Sequence, residues 1–327
     1  MILILSVYND AITNKVCEWL VSFNTEFLRL NFQDNCQIEG IDISIQGSHC
    51  SFAIDGKVYN SADFTAVWYR TGELFSNISH DLLTYTNHRH LVEMHIKELK
   101  VVHDFFLFSM TRVFNIGDYF KNNINKLTVL DKATECGLLI PETLVTSQKR
   151  ILTDFLTIHS KIIVKPLFAS NVIYAGEVEY STYTRFMSLV DLDELDDYFY
   201  PTFVQRYIEP FFELRVFVYN RTYFSMAIFK DDQVQTGNMA DIRVQKAESS
   251  RYVPFKLPDN VLISLNKLIL SLEINSCSFD LMVTKEHEYY FLEVNPAGQF
   301  DFLNKYCNYY IDNLLAQSLQ CEKKKCS

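Results

Sequence analysis

Cys277-Ser278-Phe279-Asp280-Leu281-Met282-Val283 is followed after Thr284 by Lys285-Glu286-His287-Glu288 and then by Tyr289-Tyr290-Phe291-Leu292-Glu293-Val294-Asn295-Pro296. Two apolar runs of strand length around a polar segment read as a β-hairpin. With the four polar residues as the loop, Thr284 pairs with Tyr289, and the same register sets Asp280 opposite Glu293. Asn295 lies two residues beyond Glu293 and shares its face. Two directly opposed carboxylates destabilise a sheet on their own, and a divalent cation between them reverses the sign. Hard oxygen ligands, few in number and leaving positions for phosphate and water, suit Mg²⁺. Asp280, Glu293 and Asn295 are therefore the candidate metal ligands. A slip of one residue would send Asp280 to the face opposite Glu293 and leave both as ordinary strand residues.

Outward from the hairpin, cations recur at ordered positions. Lys161-Ile162-Ile163-Val164-Lys165-Pro166 reads as a short strand closed by proline, which holds Lys165 at its end. Lys126 opens a helix capped by Asn125 and ended at Gly137, and a helix N-terminus already favours anions. Both lysines suit the phosphates of a nucleotide, although either alone is an ordinary surface residue. Thr202-Phe203-Val204-Gln205-Arg206-Tyr207-Ile208 joins two halves of this region, and such a linker can hydrogen-bond an adenine edge through its backbone. Glu213, on the alternating strand Glu213 to Tyr219, can take ribose hydroxyls. Arg215 shares its face, and Arg243 follows in Met239-Ala240-Asp241-Ile242-Arg243-Val244; arginine grips phosphate or carboxylate bidentately. The plain alternative is an ion pair between Glu213 and Arg215.

Elsewhere the patterns are those of a mixed α/β chain. Met1 to Val7 reads as a buried first strand, with Ile12, Val16, Trp19, Leu20 and Phe23 at helical spacing after it. Ala66-Val67-Trp68-Tyr69-Arg70 is a further strand, and a long helix is expected from about Thr86 to Met110. That helix carries His88, His90, His95 and His103; His88 and His95 stand about two turns apart, too far to share an ion, and the four read as solvated or capping residues. Further helices are expected around Ser181 to Val190 and from Asp259, where Val261, Leu265, Leu268 and Leu272 recur; Asn220-Arg221 is a tight turn.

The 327 residues are 48% apolar, enough for more than one core. A formal net charge of -10 gives no bulk attraction to nucleic acid. The eight cysteines form no C-x-x-C pair and read as reduced thiols, which with the lack of a signal segment suggests a cytoplasmic protein. No stretch reaches the roughly 20 apolar residues that span a bilayer.

Taken in order, Lys126, Lys165-Pro166, the Gln205 linker, Glu213-Leu214-Arg215, Asp241-Ile242-Arg243, Asp280 and Glu293-Val294-Asn295-Pro296 resemble the ATP-grasp ligases over residues 120 to 305. Phe291 to Phe300 resembles the C-terminal motif of the peptide-modifying branch, the grasp-with-spasm maturases and microviridin-type graspetide ligases. Val67-Trp68-Tyr69-Arg70 resembles an N-terminal motif of that branch. One departure is that the segment after Lys165, Leu167 to Gly176, keeps a single glycine where many ATP-grasp enzymes have a glycine-rich phosphate loop.

The resemblance implies an α/β and α+β fold: an N-terminal α/β domain (1–120), a small α+β lobe (121–205) and a large α+β lobe (206–327). ATP would lie between the lobes, with Lys126 and Lys165 on its phosphates, Gln205, Arg206, Tyr207 and Ile208 along adenine and Glu213 on ribose. Asp280, Glu293 and Asn295 would hold Mg²⁺, and Arg215 and Arg243 would steady the γ-phosphate or an acyl phosphate. The implied activity is ATP-dependent carboxylate activation through an acyl phosphate, closing ω-ester or ω-amide crosslinks in a ribosomally made precursor peptide. The implied partner is a leader joined to an acidic, Thr/Ser/Lys-bearing core, with Phe224 to Val234 as the leader-binding candidate and a homodimer as the assembly. The alternatives are a ligase adding an amino acid or amine to a small molecule or protein tail, and a non-catalytic peptide-binding protein of the same fold.

Overall fold

The run Ile2–Ser6 is buried at every residue, as expected for a strand inside a parallel sheet covered on both faces. The structure, a computed structural model, describes residues 1–72, 89–167, 172–175, 178–181, 184–229 and 250–325. The N-terminal part comprises β1 (Ile2–Ser6), α1 (Ala11–Ser22), β2 (Phe27–Asn31), β3 (Cys36–Ser44), β4 (Gly47–Ile54), β5 (Lys57–Asn60), β6 (Ala66–Tyr69), α2 (Arg89–Met110) and β7 (Phe114–Ile116). Its parallel sheet runs β2-β1-β6-β7, and β3-β4-β5 form an antiparallel sheet beside it. Asp10 caps α1 by accepting from the Thr13 amide. The expected helix from Thr86 begins at Arg89 among the described residues. His88 lies outside them, and the exposed His95 ring contacts the Leu91 carbonyl.

The next part comprises α3 (Lys126–Glu135), β8 (Thr143–Gln148), α4 (Lys149–His159), β9 (Ile162–Lys165), β10 (Val172–Ala175), β11 (Val178–Ser181), β12 (Arg185–Met187), α5 (Leu189–Asp193) and β13 (Tyr198–Arg206). Asn125 caps α3 through the Leu127 and Thr128 amides, and Gly137, at φ +84, follows its end. The helix expected at Ser181 to Val190 is not formed. Ser181 ends β11, Arg185 to Met187 pair with β9, and only Leu189–Asp193 are helical. Phe186 and Met187 alternate as a strand requires, and Ser188 ends the strand by capping α5.

The C-terminal part comprises β14 (Phe212–Tyr219), β15 (Thr222–Phe229), β16 (Arg251–Phe255), α6 (Asp259–Leu272), β17 (Ser276–Val283), β18 (Tyr289–Asn295), α7 (Asp301–Cys307) and α8 (Ile311–Lys325). Its antiparallel sheet runs β16-β15-β14-β17-β18. Asn220 and Arg221, at φ 47 and 62, make the tight turn between β14 and β15. Arg243 and the second half of the Phe224–Val234 segment lie outside the described residues. Val129, Leu130 and Ala133 of α3 pack in one core with β14, β17 and α6. Ile2 and Ile4 of β1 share another with Phe217, Phe300 and Leu315 of α8, so the first and last elements of the chain are packed together.

Val283, not Thr284, pairs with Tyr289, because Thr284 to Glu288 close the turn: the Thr284 amide donates to the Glu288 carbonyl and the His287 amide to the Thr284 carbonyl. That register alone would set Leu292 opposite Asp280. A bulge at Leu292 shifts β18 by one residue, and Asp280 then faces Glu293, with Ser278 facing Asn295.

Candidate active site

Glu213 and Arg215 lie on one face of β14, Asp280 sits on β17 beside Arg215, and Glu293 sits on β18 beside Asp280. The register sets Arg215, Asp280 and Glu293 in one row across three adjacent strands. Arg215 donates through Nη1 to both Asp280 carboxylate oxygens. Lys126 reaches the same row from the start of α3, with Nζ 3.8 Å from Glu293 Oε2 and 3.2 Å from the Pro166 carbonyl. Lys165 ends β9 on the opposite wall. These residues, with Tyr207 and Asn295, line one cavity of about 870 Å³, within the range of small-molecule sites.

The electrostatics are those of charged groups held in a partly buried cleft. Burial pushes the Lys165 ammonium below its ordinary value, against the pull of Glu293. Burial pushes the Asp280 carboxyl up; Arg215 opposes this and Glu293 adds to it. Three cations (Lys126, Lys165, Arg215) and three carboxylates (Glu213, Asp280, Glu293) thus share one cleft. Among the described residues no three His, Cys, Asp or Glu side chains cluster closely enough to hold a metal alone. A cation between Asp280 and Glu293 would have two carboxylates and the Asn295 amide from the protein and would need further oxygens from a ligand. That donor chemistry fits Mg²⁺ carried on a phosphate.

The linker is brought to the cleft only in part. Tyr207 lines it, with its hydroxyl pushed up to about 12 by burial. Gln205 is buried instead, its Nε2 donating to Thr143 Oγ1 at 2.9 Å. Arg206 pairs with Glu142 at 2.8 Å and donates to the Tyr290 hydroxyl at 3.2 Å, and the Ile208 side chain is buried. The amides of Arg206 and Tyr207 donate to the carbonyls of Glu142 and Lys161, so these two are engaged within the protein.

Sequence reading gave no role to Lys161, whose Nζ sits 4.0 Å over the Tyr207 ring, or to Asn122 and Thr184, which line the cleft. Asn122 and Lys161 had only their adjacency to the capped helix and to β9 as a signal, and Thr184, just before β12, had none. No protein-family model and no curated protein matches the chain. Solved structures do. Macrocyclase MdnC from Microcystis aeruginosa MRC, bound with precursor peptide MdnA, matches with a TM-score of 0.77 at 22% identity, covering 98% of this chain and 99% of that one. A Chryseobacterium gregarium RiPP-associated ATP-grasp ligase, in complex with ADP and a leader and core peptide, matches with a TM-score of 0.77 at 23% identity, covering 97% and 94%.

The chain has the ATP-grasp fold.

A third ATP-grasp ligase, PsnB, complexed with a phosphomimetic variant of its minimal precursor, Mg and ADP, matches with a TM-score of 0.75 at 17% identity, covering 98% of both chains. Since these likenesses run the whole length of the chain, the ATP-grasp fold here includes the N-terminal parallel sheet.

Proposed function

We propose that this ATP-grasp chain is an ATP-dependent ligase that activates side-chain carboxylates of a ribosomally made precursor peptide and closes them into ω-ester or ω-amide crosslinks. The observation that carries the reading is the transverse row Arg215, Asp280, Glu293 facing Lys126 and Lys165 across one cleft. It is supported by the likeness to ligases solved with precursor peptides, ADP and Mg.

In this reading Lys126 and Lys165 bind the phosphates of ATP, and Glu213 takes the ribose hydroxyls. Tyr207 flanks the base, with Gln205, Arg206 and Ile208 shaping the linker behind it. Asp280, Glu293 and Asn295 would hold Mg²⁺, which when bound would supply charge neutralisation at the phosphoryl oxygens. Arg215, with Arg243, orients the γ-phosphoryl group for attack by a substrate carboxylate oxygen. The bond from the γ-phosphorus to its bridging oxygen breaks, ADP leaves, and an acyl phosphate forms. A hydroxyl or amine of the same peptide then attacks the acyl carbon and loses its proton, and phosphate departs. The chain contributes position and charge rather than a covalent nucleophile.

The domains are taken as 1–120, 121–205 and 206–327, and the setting as the cytoplasm, where ATP and magnesium are at hand; no helix among the described residues is long and apolar enough to cross a membrane. The assembly is taken as a homodimer, supported by the exposed stripe Leu91, Met94, Val101 and Phe108 along α2.

The test is mass spectrometry of a candidate precursor peptide, short, acidic and rich in Thr and Ser, after incubation with the protein, ATP and Mg²⁺. The proposal expects loss of one water mass per crosslink with matching release of ADP. Unchanged peptide mass with no ADP would refute it. ADP release only with a free amino acid or amine would favour the small-molecule or protein-tail ligase.

A further inference from the structure

The Val67–Arg70 strand end has no part in the chemistry above, yet Arg70 is buried and aimed at the cleft's rim. It stands just past β6, and its amide donates to the Leu5 carbonyl at 2.9 Å. Its Nη1 donates to the Ala297 carbonyl at 2.6 Å, and its Nη2 lies 3.2 Å from Asp10 Oδ2. Asp10 is itself fixed, because its Oδ1 accepts from the Thr13 amide at 2.7 Å and the Thr13 hydroxyl at 2.8 Å. A planar guanidinium spans two acceptors that a single ammonium cannot hold in the same geometry.

Ala297 is two residues beyond Asn295, and both line the cleft. Pro296 between them has a fixed φ and no amide to anchor it. On the far side the segment is pressed onto β17: a Cβ on Gly298 would sit 2.2 Å from Ser278 Oγ, and Ser278 Oγ donates to the Gln299 carbonyl at 3.2 Å. The stretch from Asn295 to Gln299 is therefore held from one side by β17 and from the other by Arg70. Asp10 offsets the charge of Arg70, so its influence on the row of carboxylates runs through backbone position.

We propose that Arg70 is a positioning residue for the cation end of the cleft, holding the Ala297 carbonyl so that the Asn295 amide stays on the face of Asp280 and Glu293. This rests on the reading of the cleft as a magnesium–nucleotide site. It makes the N-terminal sheet part of the nucleotide site without touching nucleotide.

The test titrates ADP calorimetrically in EDTA and over a series of Mg²⁺ concentrations, with the full chain and its Arg70→Lys, Arg70→Met and Asp10→Asn variants. Outer partners of a metal's ligands typically cost about 10- to 100-fold in metal affinity when removed. Arg70→Lys and Arg70→Met should need about 10- to 100-fold more Mg²⁺ for half-maximal tightening of ADP while keeping wild-type affinity in EDTA, and Asp10→Asn should move the same way by less. Should Arg70→Met fail to fold, Arg70→Lys keeps a cation for Asp10 and carries the test. A wild-type Mg²⁺ requirement in Arg70→Lys, or an equal loss of ADP affinity with and without Mg²⁺, overturns the proposal. If the wild-type protein itself binds ADP indifferently to Mg²⁺, the reading of the cleft fails instead.

Discussion

Asp280 is held between opposite demands. Arg215 donates to both its oxygens, while Glu293 and burial disfavour its charge. A cation arriving with phosphate would resolve the conflict by bridging the two carboxylates, and Lys126, now 3.8 Å from Glu293, would be free to turn to phosphate. Asp280→Asn or Glu293→Gln should therefore lower crosslinking turnover by about 100-fold or more, the scale of losing one preorganised electrostatic group. Both proteins should stay folded, because each change removes one of two like charges. Peptide mass spectrometry with circular dichroism as the folding control checks this, and near-wild-type turnover in both would remove the metal assignment.

At the scale of elements, the hairpin shows what sequence does and does not reveal. The opposition of Asp280 and Glu293 was legible from alternation and turn polarity, but the route to it was not. The turn takes in Thr284, because Thr284 makes its own backbone contacts across it, and the Leu292 bulge restores the pairing. A bulge leaves no compositional mark at a leucine. The strand at Arg185 to Met187 was missed for a related reason: it pairs with β9, distant in sequence, and short apolar runs do not distinguish helix from strand. Capping by Asn125 and the turn at Asn220-Arg221 were legible because both are local chemistry. The side-chain destinations of Gln205 and Arg206 were not, since they depend on Thr143, Glu142 and Tyr290 from other elements.

Two tests belong to this scale. Gly298→Ala has no room beside Ser278, and overpacking of this kind costs about 1–3 kcal/mol. Ser278→Ala should not rescue it, because the Ser278 backbone nitrogen would still be 2.4 Å from the new Cβ. Denaturant titration of the single and double variants reads this, and full rescue would show that only the hydroxyl is in the way. On α2, His103 is not solvated as its place in the sequence suggested: it is half-buried, and burial pushes it down to about 4. The unfolded chain then holds more protons than the folded one between about pH 4 and 6.5, so stability falls as pH drops through that window. His103→Gln should flatten the difference in melting temperature between pH 7 and pH 5, and an unchanged difference would assign the pH dependence elsewhere.

Across the whole molecule, the cleft depends on parts remote in sequence. The α1 and α8 helices close the chain on itself beneath the β14 sheet, and Arg70 ties the parallel sheet to the segment after β18. The opposing wall comes from α3 and β9, and Phe291 is joined to Leu139 by its amide at 2.8 Å, so the β17–β18 hairpin is fastened to the segment that leads into β8. The central claim, a cation gripped between β17 and β18 under a nucleotide, has a direct measurement: anomalous diffraction from crystals grown with ADP and Mn²⁺ in place of Mg²⁺. The account predicts a manganese peak about 2.1 Å from oxygens of both Asp280 and Glu293, with ADP phosphates completing its shell. A peak away from these two carboxylates, or ADP bound outside the cleft lined by Lys126 and Lys165, would contradict it.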